Sequence, residues 1–230
     1  MKEKTICITG ASSGIGMACA LKFAEAGHHL ILCSRREDRL KSLRNQLEKD
    51  HGISVLVLPV DVRDRKSVEK AFHKLPHHWK QIDVLINNAG LALGLTGIDE
   101  GNPEHWDQMI DTNIKGLLNV SKAVIPLMKS REKGHIINIG SVAGVETYPK
   151  GNVYCATKHA VASITKGMRM DLLPYGIRVS QVSPGAVETE FSLVRFEGDT
   201  ERAKNVYTGY EPLKGEDVAD AILYVASVPD

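Results

Sequence analysis

Thr5-Ile6-Cys7-Ile8-Thr9-Gly10-Ala11-Ser12-Ser13-Gly14-Ile15-Gly16 decides how the rest of the chain must be arranged. Residues 5–9 are short, apolar and partly β-branched, as expected of a strand covered on both faces of a parallel sheet. A glycine-rich turn follows, and then a helical pattern that runs to Ala26-Gly27. Glycines at such a turn let backbone N–H groups approach a phosphate, and the helix start behind them favours negative charge. The spacing is G-x-x-x-G-x-G rather than G-x-G-x-x-G, so the usual dinucleotide fingerprint is matched only loosely. A tight strand-to-helix turn would use the same glycines. The position directly after the first strand favours the nucleotide reading.

Outward from this unit, strand and helix alternate. Further strands are predicted at 29–33, 54–60, 82–86, 135–139 and 177–183, and helices at 37–50, 64–75, 103–128, 152–173 and 215–227. The pattern predicts a single α/β domain over 1–230: a Rossmann-like, doubly wound parallel sheet with helices on both faces. Residues 187–199 read as polar and irregular, so 185–212 is expected to form a lid over the substrate. Pro126 is expected to stop or bend the helix containing it.

Bulk properties exclude several classes. With 43% hydrophobic and 25% charged residues, 230 residues can bury a full core. A net charge of +1 gives no field toward nucleic acid or an acidic membrane. No run is long enough to span a bilayer, and the apolar run after Met1-Lys2-Glu3-Lys4 is too short for a secretory signal. Cys7, Cys19, Cys33 and Cys155 have no metal-binding spacing, and the adjacent His77 and His78 point different ways, so no metal is expected. Free thiols in strand-like runs point to the cytoplasm.

Chemistry-bearing residues fall at the carboxyl ends of the strands, where open parallel sheets bind ligands. After 29–33 come Ser34-Arg35-Arg36 in place of a carboxylate; a guanidinium fork there suits the 2′-phosphate of NADP, although a solvated charge cluster would look similar. Asp61-Val62 follows the third strand; Asp61 is either an acceptor for an adenine amino group or a plain loop carboxylate. Asn87-Asn88-Ala89-Gly90 follows the fourth, and Ser141 the fifth. Asn113 interrupts the 103–128 helix, as a harmless exposed residue or as the holder of a kink and a water. Tyr154 and Lys158, four apart, leave one helix face. An ammonium beside a phenol lowers its pKa from about 10 and makes a proton donor and acceptor for alcohol–carbonyl chemistry.

Thr9-Gly10-x-x-x-Gly14-x-Gly16, Asn87-Asn88-Ala89-Gly90, Asn113, Ser141, Tyr154-x-x-x-Lys158 and Pro184-Gly185 occur in the order found in short-chain dehydrogenases/reductases. The chain resembles that family over nearly its whole length. The resemblance implies Tyr154 as general acid/base, Lys158 lowering its pKa and binding the nicotinamide ribose, Ser141 bonding the substrate oxygen and Asn113 holding a water. It implies NADP on Gly10, Ser12, Ser13, Gly14, Ile15, Gly16, Arg35, Arg36, Asp61, Val62, Asn88, Ala89, Gly90, Tyr154, Lys158, Pro184, Gly185, Val187 and Thr189. Residues 88–94, 109–113, 151–154 and 194–199 are similar to members that oxidise small 3-hydroxy acids such as serine and L-allo-threonine. A broad carbonyl or 3-oxoacyl reductase, or a non-catalytic NADP(H) sensor, is the alternative. A hydroxy-acid substrate needs a cation for its carboxylate; Arg195 is either that clamp or a solvated loop arginine. Lys150 stands where relatives carry a small residue. Relatives usually continue past Val228-Pro229-Asp230 with a further strand and form homotetramers or homodimers, which is the expectation here.

Overall fold

In the computed structural model, which describes residues 3–229, the N-terminal unit forms as the sequence predicts. Strand β1 (Thr5–Thr9) leads through the glycine turn into α1 (Gly14–Glu25). Next come β2 (His29–Ser34), α2 (Glu37–His51), β3 (Val55–Pro59), α3 (Arg65–His73) and β4 (Val84–Asn87). The second half holds α4 (Pro103–Ile110), α5 (Leu117–Lys129), β5 (Gly134–Ile139), α6 (Asn152–Leu172) and β6 (Ile177–Val182).

The six strands pair in parallel in the order β3-β2-β1-β4-β5-β6. Strand order reverses between β1 and β4, and a crevice at their carboxyl ends is the place such sheets offer a ligand. Burial explains the uninterrupted apolar runs: Ile6, Ile8, Leu30 and Leu32 pack under α1, α2 and the last helix, α9 (Gly215–Ser227), while Cys7, Ile31, Leu85 and Ile136 face α3, α5 and α6. All four cysteines are buried and free, and the sulfurs of Cys7 and Cys33 lie 3.8 Å apart on β1 and β2. No helix among the described residues is long and apolar enough to cross a membrane.

Two regions differ from the sequence reading. The single helix expected over 103–128 is broken by a π-helical turn, Asp111–Gly116, between α4 and α5. The wider turn carries Asn113, whose Oδ1 accepts from Leu91 N–H and whose Nδ2 donates to Leu91 O and Thr157 Oγ1. Those three bonds hold the irregular turn and are the physical reason it persists. Pro126 does not end α5, which continues to Lys129.

The other difference is the segment expected to be irregular. It folds into β7 (Val187–Glu188), α7 (Glu190–Arg195), α8 (Thr200–Asn205) and β8 (Leu213–Lys214), with β7 and β8 paired in parallel. Thr189 and Asp199 cap the two helices, accepting from Phe191 N–H and Arg202 N–H. The polar residues that suggested a loop are in part these caps. Tyr207 ties the segment together: its hydroxyl bonds Ser192 and donates to Val187 O.

Candidate active site

The carboxyl ends of the strands open into a cleft of about 690 Å³, within the usual size of a ligand site. Its floor is built from the glycine turn. Gly10 has φ +66° and a Cβ there would sit 2.8 Å from Asn88 Nδ2, so the position admits only glycine. Asn88 in turn donates to Thr9 O and Gly10 O, while Thr9 Oγ1 accepts from the N–H groups of Asn88 and Ala89. Asn88 therefore clamps the end of β4 to the end of β1.

Gly10, Ser12, Ser13, Gly14, Ile15, Arg35, Arg36, Asp61, Val62, Asn88, Ala89, Gly90, Ser141, Tyr154, Lys158, Pro184, Gly185, Val187, Thr189 and Arg195 all line this one cleft. Gly16 and Asn113 are not on its wall. A Cβ on Gly16 would collide with Gly10 O and Asn88 Nδ2, so this glycine packs the helix against the turn rather than facing a ligand. Asn113 braces the wall from behind through Leu91 and Thr157.

The arginine end of the cleft is polar and half exposed. Arg36 donates through Nε to Ser12 Oγ and through Nη2 to Ser13 Oγ. Both Arg36 and Arg39 bond Glu190 at the start of α7. Asp61 is gripped by Arg63, Nη2 to Oδ2 at 2.7 Å, with Nε reaching both oxygens. Burial pushes Asp61 upward, but the bonds from Arg63 outweigh it and its carboxyl sits below the usual range. Arg63 thus holds Asp61 within its own loop, on the wall of the cleft.

The tyrosine end is dry. Tyr154 and Lys158 rise one turn apart on α6, with Ser141 opposite them at the end of β5. Lys158 Nζ donates to Ile139 O at 2.9 Å and lies 6.0 Å from the centre of the Tyr154 ring. Here the structure corrects the pKa argument drawn from sequence. Tyr154 is not lowered: burial raises it to about 12, and Ser141 works against that rise. Lys158 is itself lowered to about 8 by burial. Loss of water is the largest cause of both shifts, because desolvation disfavours the charged form of each group.

Arg195 was open between clamp and solvated arginine; it is buried, 9% exposed. Its Nε donates to Gly94 O and its Nη1 to Tyr148 Oη. Nη2 is buried without a hydrogen-bond partner among the described residues. The guanidinium carbon lies 5.5 Å from the Tyr148 ring and 5.8 Å from the Tyr154 ring. Tyr148, Phe191 and Glu190 are lining residues that sequence reasoning missed. A signal existed for Glu190, directly after the capping Thr189; none existed for Tyr148. Lys150 is exposed, at φ +63°.

Fold and cleft together are those of the doubly wound, nucleotide-binding class. A short chain dehydrogenase family model matches residues 4–199. The chain is 46% identical over 222 residues to the NADP-dependent 3-hydroxy acid dehydrogenase of Schizosaccharomyces pombe, covering 96% of this chain and 86% of that one. It is 45% identical to the NADP-dependent 3-hydroxy acid dehydrogenase YdfG of Salmonella typhi, covering 97% and 89%. Among solved structures, the closed form of serine dehydrogenase complexed with NADP+ superposes with a TM-score of 0.92 at 42% identity, over 98% of this chain and 90% of that one. The chain belongs to the short chain dehydrogenase family.

Proposed function

We propose that this protein is an NADP-dependent dehydrogenase of small 3-hydroxy acids of the serine, L-allo-threonine and 3-hydroxypropionate type. The relatives' activities and the NADP+ complex of a 42% identical structure support the coenzyme and the reaction class. The glycine turn at Gly10 and Gly14 and the arginines at the end of β2 suit a phosphate-bearing nucleotide. When bound, NADP supplies the hydride acceptor, and NADPH the donor.

The chain's own part is proton transfer and positioning. Tyr154 takes the proton of the substrate hydroxyl as the alcohol is oxidised and returns it on reduction. Ser141 bonds the same oxygen. After its bond to Ile139 O, Lys158 keeps two ammonium protons. One is assigned to the ribose of the bound coenzyme. Asn113 keeps the wall behind Lys158 in place and is assigned the water that exchanges the proton with solvent.

The observation that carries the acid specificity is the buried, unpartnered Arg195 Nη2 beside the Tyr154 ring. A buried cationic donor without a partner is costly, and a substrate carboxylate would relieve it. Arg195→Ala should therefore raise KM for L-serine and 3-hydroxypropionate roughly 100-fold while changing a neutral secondary alcohol within about threefold. Equal losses on both classes would instead support a broad carbonyl reductase. No turnover of any substrate, despite tight NADPH binding, would support a sensor.

Residues 1–230 act as one domain in this reading, and 185–212 is its lid. The exposed apolar Leu118 on α5 and Met170 on α6 support assembly into a homodimer or homotetramer. The four buried free thiols support a cytoplasmic location.

A further inference from the structure

At the arginine end of the cleft the chain supplies an anion of its own. Glu190, the first residue of α7, reaches across from the lid to α2. One carboxylate oxygen accepts from Arg36 Nη1 at 2.9 Å, and the two accept from Arg39 Nη1 at 2.7 and 3.1 Å. Arg36 spends its other two nitrogens on Ser12 and Ser13. The bond from Arg36, helped by Arg39, holds the Glu190 carboxyl below its ordinary range despite partial burial, so it is charged at neutral pH.

A bland surface ion pair is the competing account, and exposed pairs do contribute little to stability. This one differs in location. It joins two walls of the cleft, between residues 154 apart in the chain, on a side chain that also bonds the serines of the glycine turn.

We propose that Glu190 is a specificity-determining residue: a built-in anion that competes with the 2′-phosphate of NADP(H) for Arg36 and Arg39. The inference rests on the reading of Arg35 and Arg36 as the phosphate site; Arg39 joins them as the second arginine bonded to Glu190. Arg36 donates from each of its three nitrogens and keeps one free N–H on each Nη, so a phosphate bound there sits beside the Glu190 carboxylate or displaces it. Both routes oppose binding. A nucleotide with a neutral ribose 2′-hydroxyl meets neither cost. Glu190 thus sets the discrimination between NADP(H) and NAD(H) below what the arginines alone would give, a use of repulsion in specificity.

The test is fluorescence titration of NADPH and NADH against the full-length wild type, Glu190→Gln, Glu190→Asp and Arg36→Ala at one ionic strength. Glu190→Gln should tighten NADPH roughly three- to tenfold and leave NADH within about twofold, raising the preference ratio. Glu190→Asp keeps the charge and should stay near the wild-type ratio. An unchanged or lower ratio in Glu190→Gln overturns the proposal; joint weakening of both nucleotides would make Glu190 a mere strap. Arg36→Ala separates the two failures. If it lowers the ratio while Glu190→Gln fails to raise it, only the competing anion is wrong. If it leaves the ratio unchanged, Arg36 is not part of the phosphate site and the proposal falls with it.

Discussion

The two ends of the cleft handle charge in opposite ways. At one end Arg36, Arg39 and Glu190 keep 43%, 51% and 41% of their side chains in solvent, and ion pairs join them. At the other, Tyr154, Lys158 and Arg195 are buried, with pKa values displaced by lost hydration or a donor left without a partner. Water makes the difference. Solvated charges are easily rearranged and screened, which suits recognition of a mobile phosphate. Desolvated groups interact strongly with a substrate but burden the folded state.

The sharpest way to break this contrast is Tyr154→Phe. It should lower kcat by roughly 10²–10⁴-fold while nucleotide affinity stays within about twofold. Steady-state kinetics beside a titration would show it, and retained turnover would remove the tyrosine end from the chemistry.

Lys158→Met comes next, because it should abolish turnover yet stabilise the fold. Burial lowers Lys158 from its usual 10.5 to about 8. The unfolded chain therefore binds the extra proton between those values, and stability should rise as pH increases through them. Below pH 8 the burden is fully present, so the apolar variant should gain about 1–3 kcal/mol at neutral pH and lose that pH slope. The gain is reduced by the bond to Ile139 O that it gives up. Thermal or urea unfolding from pH 7 to 10.5 measures both.

The smallest effect concerns salt. Raising monovalent salt from roughly 50 to 500 mM should weaken NADPH binding several-fold at the exposed end, while the pH profile of kcat moves by less than about 0.3 unit. A salt-shifted profile would mean that the tyrosine end is wetter than its burial indicates.

What was legible in the sequence follows the same division. The sheet could be read because strands covered on both faces leave continuous apolar runs, and β1 and β2 do so. Gly10, Ser141, Tyr154 and Lys158 could be read as candidates because each falls just past a strand or on one helix turn. The π turn at Asp111–Gly116 left only an ill-placed asparagine as a trace. The direction of the Tyr154 pKa could not be read, since adjacency shows the ammonium but not the missing water. Arg195 and Tyr148 meet across 47 positions, and no local pattern encodes such a pairing. The caps at Thr189 and Asp199 were available signals, hidden by the polarity of their neighbours.

The four sequestered thiols have a practical consequence. A cysteine-modifying reagent added to the intact molecule should find no ready target, because Cys7, Cys19, Cys33 and Cys155 lie on β1, α1, β2 and α6 and open only with the core. Their labelling rate then reports opening of the core and needs no engineered probe.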